Sequence, residues 1–243
     1  IYLATLTTVG YMWSGKTILS RKIGFKTEKY VKDYNWNFLY VEARRQSDVI
    51  SYFEENRDQL KGIDYLMIVY DDAGRYYLSR EGTTKERREE LKDFLEIRHI
   101  FKRLGFTKGV LAINFNIQRY EMLDLTIRNS PVVILKTLIA HDRKKLRELA
   151  QWLGRRRFKF LRAITSVMYF NSKIKDPEVI AILKQFGVDP SSLDRNKVKR
   201  FAVVAYADGS RKITDFGEGV EEPKNKIVIE SDVDGEEKWL PRD

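Results

Sequence analysis

Residues 9–17 read VGYMWSGKT, which is Gly10, four residues, then Gly15, Lys16 and Thr17. No other stretch narrows the choice of fold so far. Glycines at those positions let a chain curl around a phosphate with its N–H groups turned inward. The lysine reaches the β- and γ-phosphates, and the threonine hydroxyl ligates Mg²⁺. Such a loop belongs between a strand and the N-terminus of a helix, where the helix dipole favours an anion. The flanks comply: IYLATLTTVG (1–10) is rich in β-branched residues and stops at a glycine, and KTILSRKIG (16–24) predicts a short helix closed by Gly24. A chance match somewhere in such a chain has odds of roughly one in a hundred. Gly10, Tyr11, Met12, Trp13, Ser14, Gly15, Lys16, Thr17 and Ile18 are therefore the candidate nucleotide contacts, with ATP and Mg²⁺ as the expected cofactors.

The same chemistry requires an acid at the end of a buried strand. DYLMIVYDD (64–72) is an apolar run that ends in two of them. Asp71 is the candidate to hold the metal together with Thr17, and Asp72 the candidate to orient or deprotonate an attacking water. Adjacent carboxylates repel each other when dry, and a divalent cation relieves that repulsion.

WNFLYVEA (36–43), GVLAINFNIQ (109–118) and SPVVILKTL (130–138) read as further strands. Helical spacing appears in 47–62, in a segment opened by Thr83 and Glu86 that runs to about 103, and in 176–187. This alternation predicts an α/β fold with a mainly parallel sheet flanked by helices. Residues 141–162 are basic and helical in pattern, and KRFAVVAYADGSRKITDF (199–216) predicts a hairpin turning at Asp-Gly, followed by an acidic, partly loose tail. The expected organisation is an ATPase core over 1–140, a basic helical segment packed on it over 141–187, and a hairpin with its tail over 188–243.

FNIQRYEMLDLTIRNSPVVILKTL (115–138) places Gln118 at a strand end, then TIRNS, then another apolar strand, with Arg98-His99 upstream. Taken with the loop and the Asp-Asp pair, the first 140 residues or so resemble the FtsK/HerA superfamily of P-loop translocases, and within it the viral genome-packaging ATPases. The resemblance implies a RecA-like motor that hydrolyses ATP to ADP and phosphate, forms a homo-oligomeric, usually hexameric ring, and drives double-stranded DNA through its channel. It implies that Gln118 senses the γ-phosphate and that Arg128 reaches a neighbouring subunit's nucleotide, with Arg98 competing for that role. It also implies a capsid or portal protein as a further partner, and a place in the host cytoplasm or the virion. Trp13 departs from the small residues usual in such loops; it either packs beneath the loop or contacts nucleotide or a neighbouring subunit. An AAA+ initiator or loader stays open as an alternative, because 141–187 could build a helical lid.

The charge bears on the partner. The formal net charge is +10, and residues 141–162 alone carry nine Lys/Arg against two acids. From Asp215 onward the balance reverses to ten acids against four Lys/Arg. A field of this kind suits a polyanion, nucleic acid first, although a solvated helix face would look the same. Arg155, Arg156, Arg157 and Lys159 are the densest candidates for phosphate contacts. The chain has no cysteine and only two histidines, which excludes disulfides and thiolate metal sites and argues against a zinc enzyme. No apolar run approaches the ~20 residues that span a bilayer, so no membrane partner is expected.

Overall fold

The computed structural model describes residues 1–73, 85–118, 130–138 and 143–230. Within them the apolar runs become strands β1 (Tyr2–Val9), β2 (Phe38–Ala43), β3 (Tyr65–Tyr70), β4 (Val110–Ile117), β5 (Val132–Leu135), β6 (Phe201–Tyr206), β7 (Arg211–Asp215) and β8 (Lys226–Val228). All join one sheet in the order β7-β6-β5-β1-β4-β3-β2-β8. The pairings are parallel except for β5–β6 and β6–β7, so β6 alone runs against the rest. One strand, β4, stands between the strand that feeds the glycine loop and the strand that ends in Asp71. This is the RecA-like arrangement of a P-loop fold.

The period-2 alternation of each strand sorts side chains to two faces. Val41, Ile68, Tyr70, Ile113, Phe115, Val133 and Val203 pack on one side, under helices α2 (Gln46–Glu55), α4 (Ile97–Arg103), α6 (Arg155–Phe170) and α7 (Pro177–Gln185). Tyr40, Met67, Val69 and Ala112, with Ile134, Ala202 and Val204 further along, face α1 (Lys16–Lys32) on the other side. The described helices also include α3 (Lys85–Leu95) and α5 (Arg143–Leu153).

Several boundaries differ from expectation. α1 does not stop at Gly24 but runs 17 residues to Lys32. Gly24 is buried mid-helix because a Cβ there would stand 2.5 Å from the Tyr40 ring and 2.8 Å from Pro223. Close approach, not a helix stop, explains this glycine. The basic segment is helical as expected, and Gly154, with φ 76, divides it into α5 and α6. Glu96 likewise divides α3 from α4, and the helix expected over 47–62 ends at Glu55 before a 3-10 turn.

The chain beyond the hairpin is also more ordered than its composition suggests. β8 covers the outer edge of β2, and Lys224 N donates to Glu28 Oε2 of α1 (2.8 Å). Arg21 of α1 forks onto buried Glu42 of β2 (2.7 and 2.8 Å) and reaches Glu222 (2.6 Å). Desolvation of two charges at Glu42 and Arg21 is offset by this bidentate geometry and by a third bond from the Tyr40 hydroxyl (3.0 Å). No described helix is long and apolar enough to cross a membrane.

Candidate nucleotide-binding site

The glycine loop leaves the sheet at a fixed point. Gly10 N donates to Ile117 O (3.0 Å), and Lys136 N donates to Val9 O (2.8 Å). The loop then folds back on itself, with Ser14 N donating to Tyr11 O (3.2 Å) and Trp13 and Gly15 in left-handed conformation, φ 65 and 82. Gly15 takes that conformation without steric cost, and Gly10 has no room for a side chain, since a Cβ there would stand 2.4 Å from Ser14 Oγ. Three outside contacts brace the loop. Tyr11 N donates to Thr137 Oγ1 (3.1 Å), the Tyr169 hydroxyl of α6 donates to Met12 O (3.0 Å), and the Tyr11 and Tyr169 rings meet edge to face at 5.7 Å. Trp13 is 81% exposed, so it does not pack beneath the loop.

α1 opens at Lys16 with no side-chain cap and no acid in its first turn. The first N–H groups of a helix lack intrahelical acceptors, and here nothing acidic competes for them. The Ser14 hydroxyl is fully buried in the loop without a protein partner. Orphan donors, a dipole end and an unpaired buried hydroxyl fit a phosphate chain. Lys16 Nζ folds over this cradle, donating to Gly10 O (2.8 Å) and Tyr11 O (3.0 Å). Burial holds its pKa below the ordinary lysine value, opposed by the charges of Asp71 and Asp72.

Asp71 stands where the alternation of β3 demands, on the α1 face in step with Met67 and Val69. Thr17 Oγ1 donates to its Oδ2 (2.9 Å), and Asn116 Nδ2 donates to its Oδ1 (3.2 Å). Behind them lies a buried polar chain. Ser20 Oγ lies 2.9 Å from Asn116 Oδ1, Asn114 Nδ2 donates to Ser20 Oγ (2.7 Å), and Thr8 Oγ1 donates to Asn114 Oδ1 (3.1 Å). Four elements thus fix one carboxylate. Among the described residues no cluster of three His, Cys, Asp or Glu can hold a metal. Mg²⁺ needs none, because it takes one or two carboxylates and completes its shell with water and phosphate oxygens. Thr17 and Asp71 fit that requirement. Asp72 follows in left-handed conformation (φ 54) with its side chain exposed. Gln118 stands half-buried directly after β4, two positions beyond Asn116.

The basic candidates divide. Arg157 Nε donates to Arg211 O (2.7 Å), and Lys159 bridges Asp176 (3.2 Å) and Glu178 (3.1 Å), so both are engaged within the chain. Arg155 and Arg156 are exposed, the latter 3.2 Å from Gln185 Oε1. Arg98 is exposed on α4, and Arg128 lies outside the described residues. Sequence reasoning missed Ser20, Asn114 and Asn116, although polar residues at every second position of a buried strand were a visible signal. It also missed Tyr169, Thr137 and Lys136, whose roles come from distant contacts.

No protein-family model and no curated protein sequence matches this chain. Among solved structures it is similar to the genome packaging NTPase B204 from Sulfolobus turreted icosahedral virus 2 in complex with AMP, at 13% identity and TM-score 0.42 over 88% of this chain and 98% of that one. It is also similar to B204, the DNA-packaging ATPase from Sulfolobus turreted icosahedral virus, at 12% identity and TM-score 0.42 over 86% of this chain and 96% of that one. The pCW3 conjugation coupling protein TcpA matches at 13% identity and TM-score 0.43, over 87% of this chain and 59% of that one. With likenesses this distant, functional assignment rests on the site itself.

Proposed function

We propose that the chain is a Mg²⁺-dependent ATPase of the RecA-like P-loop class that uses hydrolysis to move double-stranded DNA, as the viral genome-packaging members of FtsK/HerA do. The observation that carries this is the Thr17–Asp71 hydrogen bond at 2.9 Å, held by Asn116, at the mouth of an uncapped helix N-terminus. A hydroxyl and a carboxylate so placed hold a magnesium ion against a phosphate chain. Bound by Thr17 and Asp71, the metal would neutralise negative charge on the phosphate chain. The amides of the loop and first turn grip the phosphates, and Lys16 exchanges its carbonyl partners for phosphate oxygens. Asp72 orients a water toward the γ-phosphorus and takes its proton as the bond to the β–γ bridging oxygen breaks. Gln118 reports the γ-phosphate from the end of β4, and Arg128 of a neighbouring subunit adds positive charge in a hexameric ring.

DNA as the cargo is supported by the +10 formal charge and by exposed Arg155 and Arg156. These stand in the first turn of α6, where the helix dipole disfavours cations, so helix stability does not account for them. A capsid or portal protein is the further partner under this reading, in the host cytoplasm or the virion. The AAA+ reading fits less well, because α6 and α7 share the core of the sheet through Phe160, Ile164 and Ile182 and lead into β6. The test is ATP hydrolysis with and without long duplex DNA, alongside the mass of the assembly. Stimulation by DNA and a ring-sized mass are expected, with turnover lost in Lys16→Ala; undiminished turnover in that variant would overturn the assignment.

A further inference from the structure

The far end of α1 carries aromatic surface that neither the core nor the phosphate loop uses. Tyr30 lies about 21 Å along the helix from Lys16. Tyr30, Tyr34 and Trp36 are 62%, 58% and 41% exposed, and all three line an open groove of about 780 Å³. Ile23, Val31 and Tyr65, which pack into the core on this face of the sheet, form its floor. Single apolar residues at a surface need no explanation, but three exposed rings in one concavity do.

The local backbone fixes where these rings stand. Tyr34 N and Trp36 N both donate to Val31 O (3.1 Å each), with Asn35 between them in left-handed conformation (φ 57). The Tyr30 and Tyr34 rings meet at 5.2 Å, tilted by 56°, and their hydroxyls lie 3.1 Å apart. Lys26, one turn before Tyr30, lines the same groove, and Lys29 is its exposed neighbour at the i,i+3 spacing. Among the described residues neither lysine is paired with an acid. Glu28 is occupied by Lys32 (3.2 Å) and by Lys224 N (2.8 Å), which leaves Asp33 as the exposed acid at this end of the helix.

The groove therefore presents aromatic faces and cations, and its aliphatic members lie beneath them. A groove for an amphipathic helix would offer aliphatic surface instead. Flat rings beside unpaired lysines suit nucleobases strung on phosphates, and a duplex keeps its base faces stacked inside. We propose that the groove binds single-stranded nucleic acid, with bases stacked on Tyr30, Tyr34 and Trp36 and phosphates at Lys26 and Lys29. The groove lies on the α1 face of the sheet, whereas Arg155 and Arg156 belong to α6 on the other. The assignment depends on neither the duplex reading nor the phosphate-loop reading.

The test is fluorescence anisotropy of a labelled oligothymidylate of about 12 nucleotides on the full chain, beside an abasic strand and a duplex of the same length. The unaltered chain should bind oligothymidylate at least about tenfold more tightly than the abasic strand. Tyr30→Ala combined with Tyr34→Ala removes exposed rings and spares the core. It should weaken oligothymidylate by about tenfold or more and leave the abasic strand and the duplex within about twofold. Lys26→Gln with Lys29→Gln should weaken both single strands and lower the salt slope by about 1.4. Arg155→Gln with Arg156→Gln should leave oligothymidylate binding unchanged. Equal affinities for oligothymidylate and the abasic strand, or an undiminished oligothymidylate affinity in the ring variant, would each overturn the proposal. A fall in assembly mass in the ring variant, with oligothymidylate binding intact, would assign the groove to a second copy of the chain and overturn it too.

Discussion

Lys136 offers the sharpest test of the packing around the site. It is fully buried at the end of β5, and burial, with the nearby cations Lys22 and Lys199, lowers its pKa to about 7. An unfolded lysine titrates near 10.4. Between those values the unfolded chain binds a proton that the folded chain has released, so stability must rise with pH through this window. Below pH 7 both states carry the proton and the dependence vanishes. Each pH unit well inside the window contributes about 1.4 kcal/mol, and because the folded residue is half protonated at pH 7, the gain from pH 7 to pH 9 is about 2 kcal/mol. Urea unfolding of the native chain and of Lys136→Met at pH 7, 8 and 9 isolates the contribution, since Lys22 and the remaining groups titrate in both. Methionine leaves the carbonyls of Lys199 and Phe201 without their donor, costing roughly 1–3 kcal/mol each at every pH, but it removes the slope. Curves that stay parallel across the three pH values would refute this account of Lys136.

Asn116→Ala removes the donor that aims Asp71 and should cut turnover by ~10–100-fold while ATP affinity changes little; equal turnover would show that Thr17 alone positions the carboxylate. Gly24→Ala forces a methyl group into the Tyr40 ring and should cost about 1–3 kcal/mol in urea unfolding, whereas an unchanged midpoint would mean that α1 shifts freely. Replacing Arg155 and Arg156 with Gln should weaken duplex binding and flatten its salt dependence, because both are exposed. The same replacement at Arg157 should chiefly affect stability, since its bond to Arg211 O ties α6 to β7.

The parts of the site within local reach were legible. VGYMWSGKT and VYDD carry their chemistry in the order of their residues, and their apolar flanks announced the strands that bring Thr17 to Asp71. What escaped depends on contacts between residues far apart in the chain. Tyr169 meets Met12 from 157 residues away, and Lys136 supports a turn 63 residues on. Gly24 misled because a glycine excluding a side chain looks, in one dimension, like a glycine ending a helix. In the acidic stretch after Asp215, composition did not show which residues are ordered. Glu222 is matched by Arg21 and Lys226, and Ile229 N donates to Glu42 O (2.8 Å), so those residues form an edge of the sheet.

α6 joins two regions that the sequence shows only separately. Arg155 and Arg156 project at its first turn, while Tyr169 on its last turn grips the glycine loop and Thr165 Oγ1 accepts from Leu138 N (2.8 Å) after β5. Sixteen residues of helix make a stiff rod about 24 Å long between them. The arginine end and the support of the Met12 carbonyl therefore share one rigid element, which Phe160, Leu161 and Ile164 pin to the sheet between them.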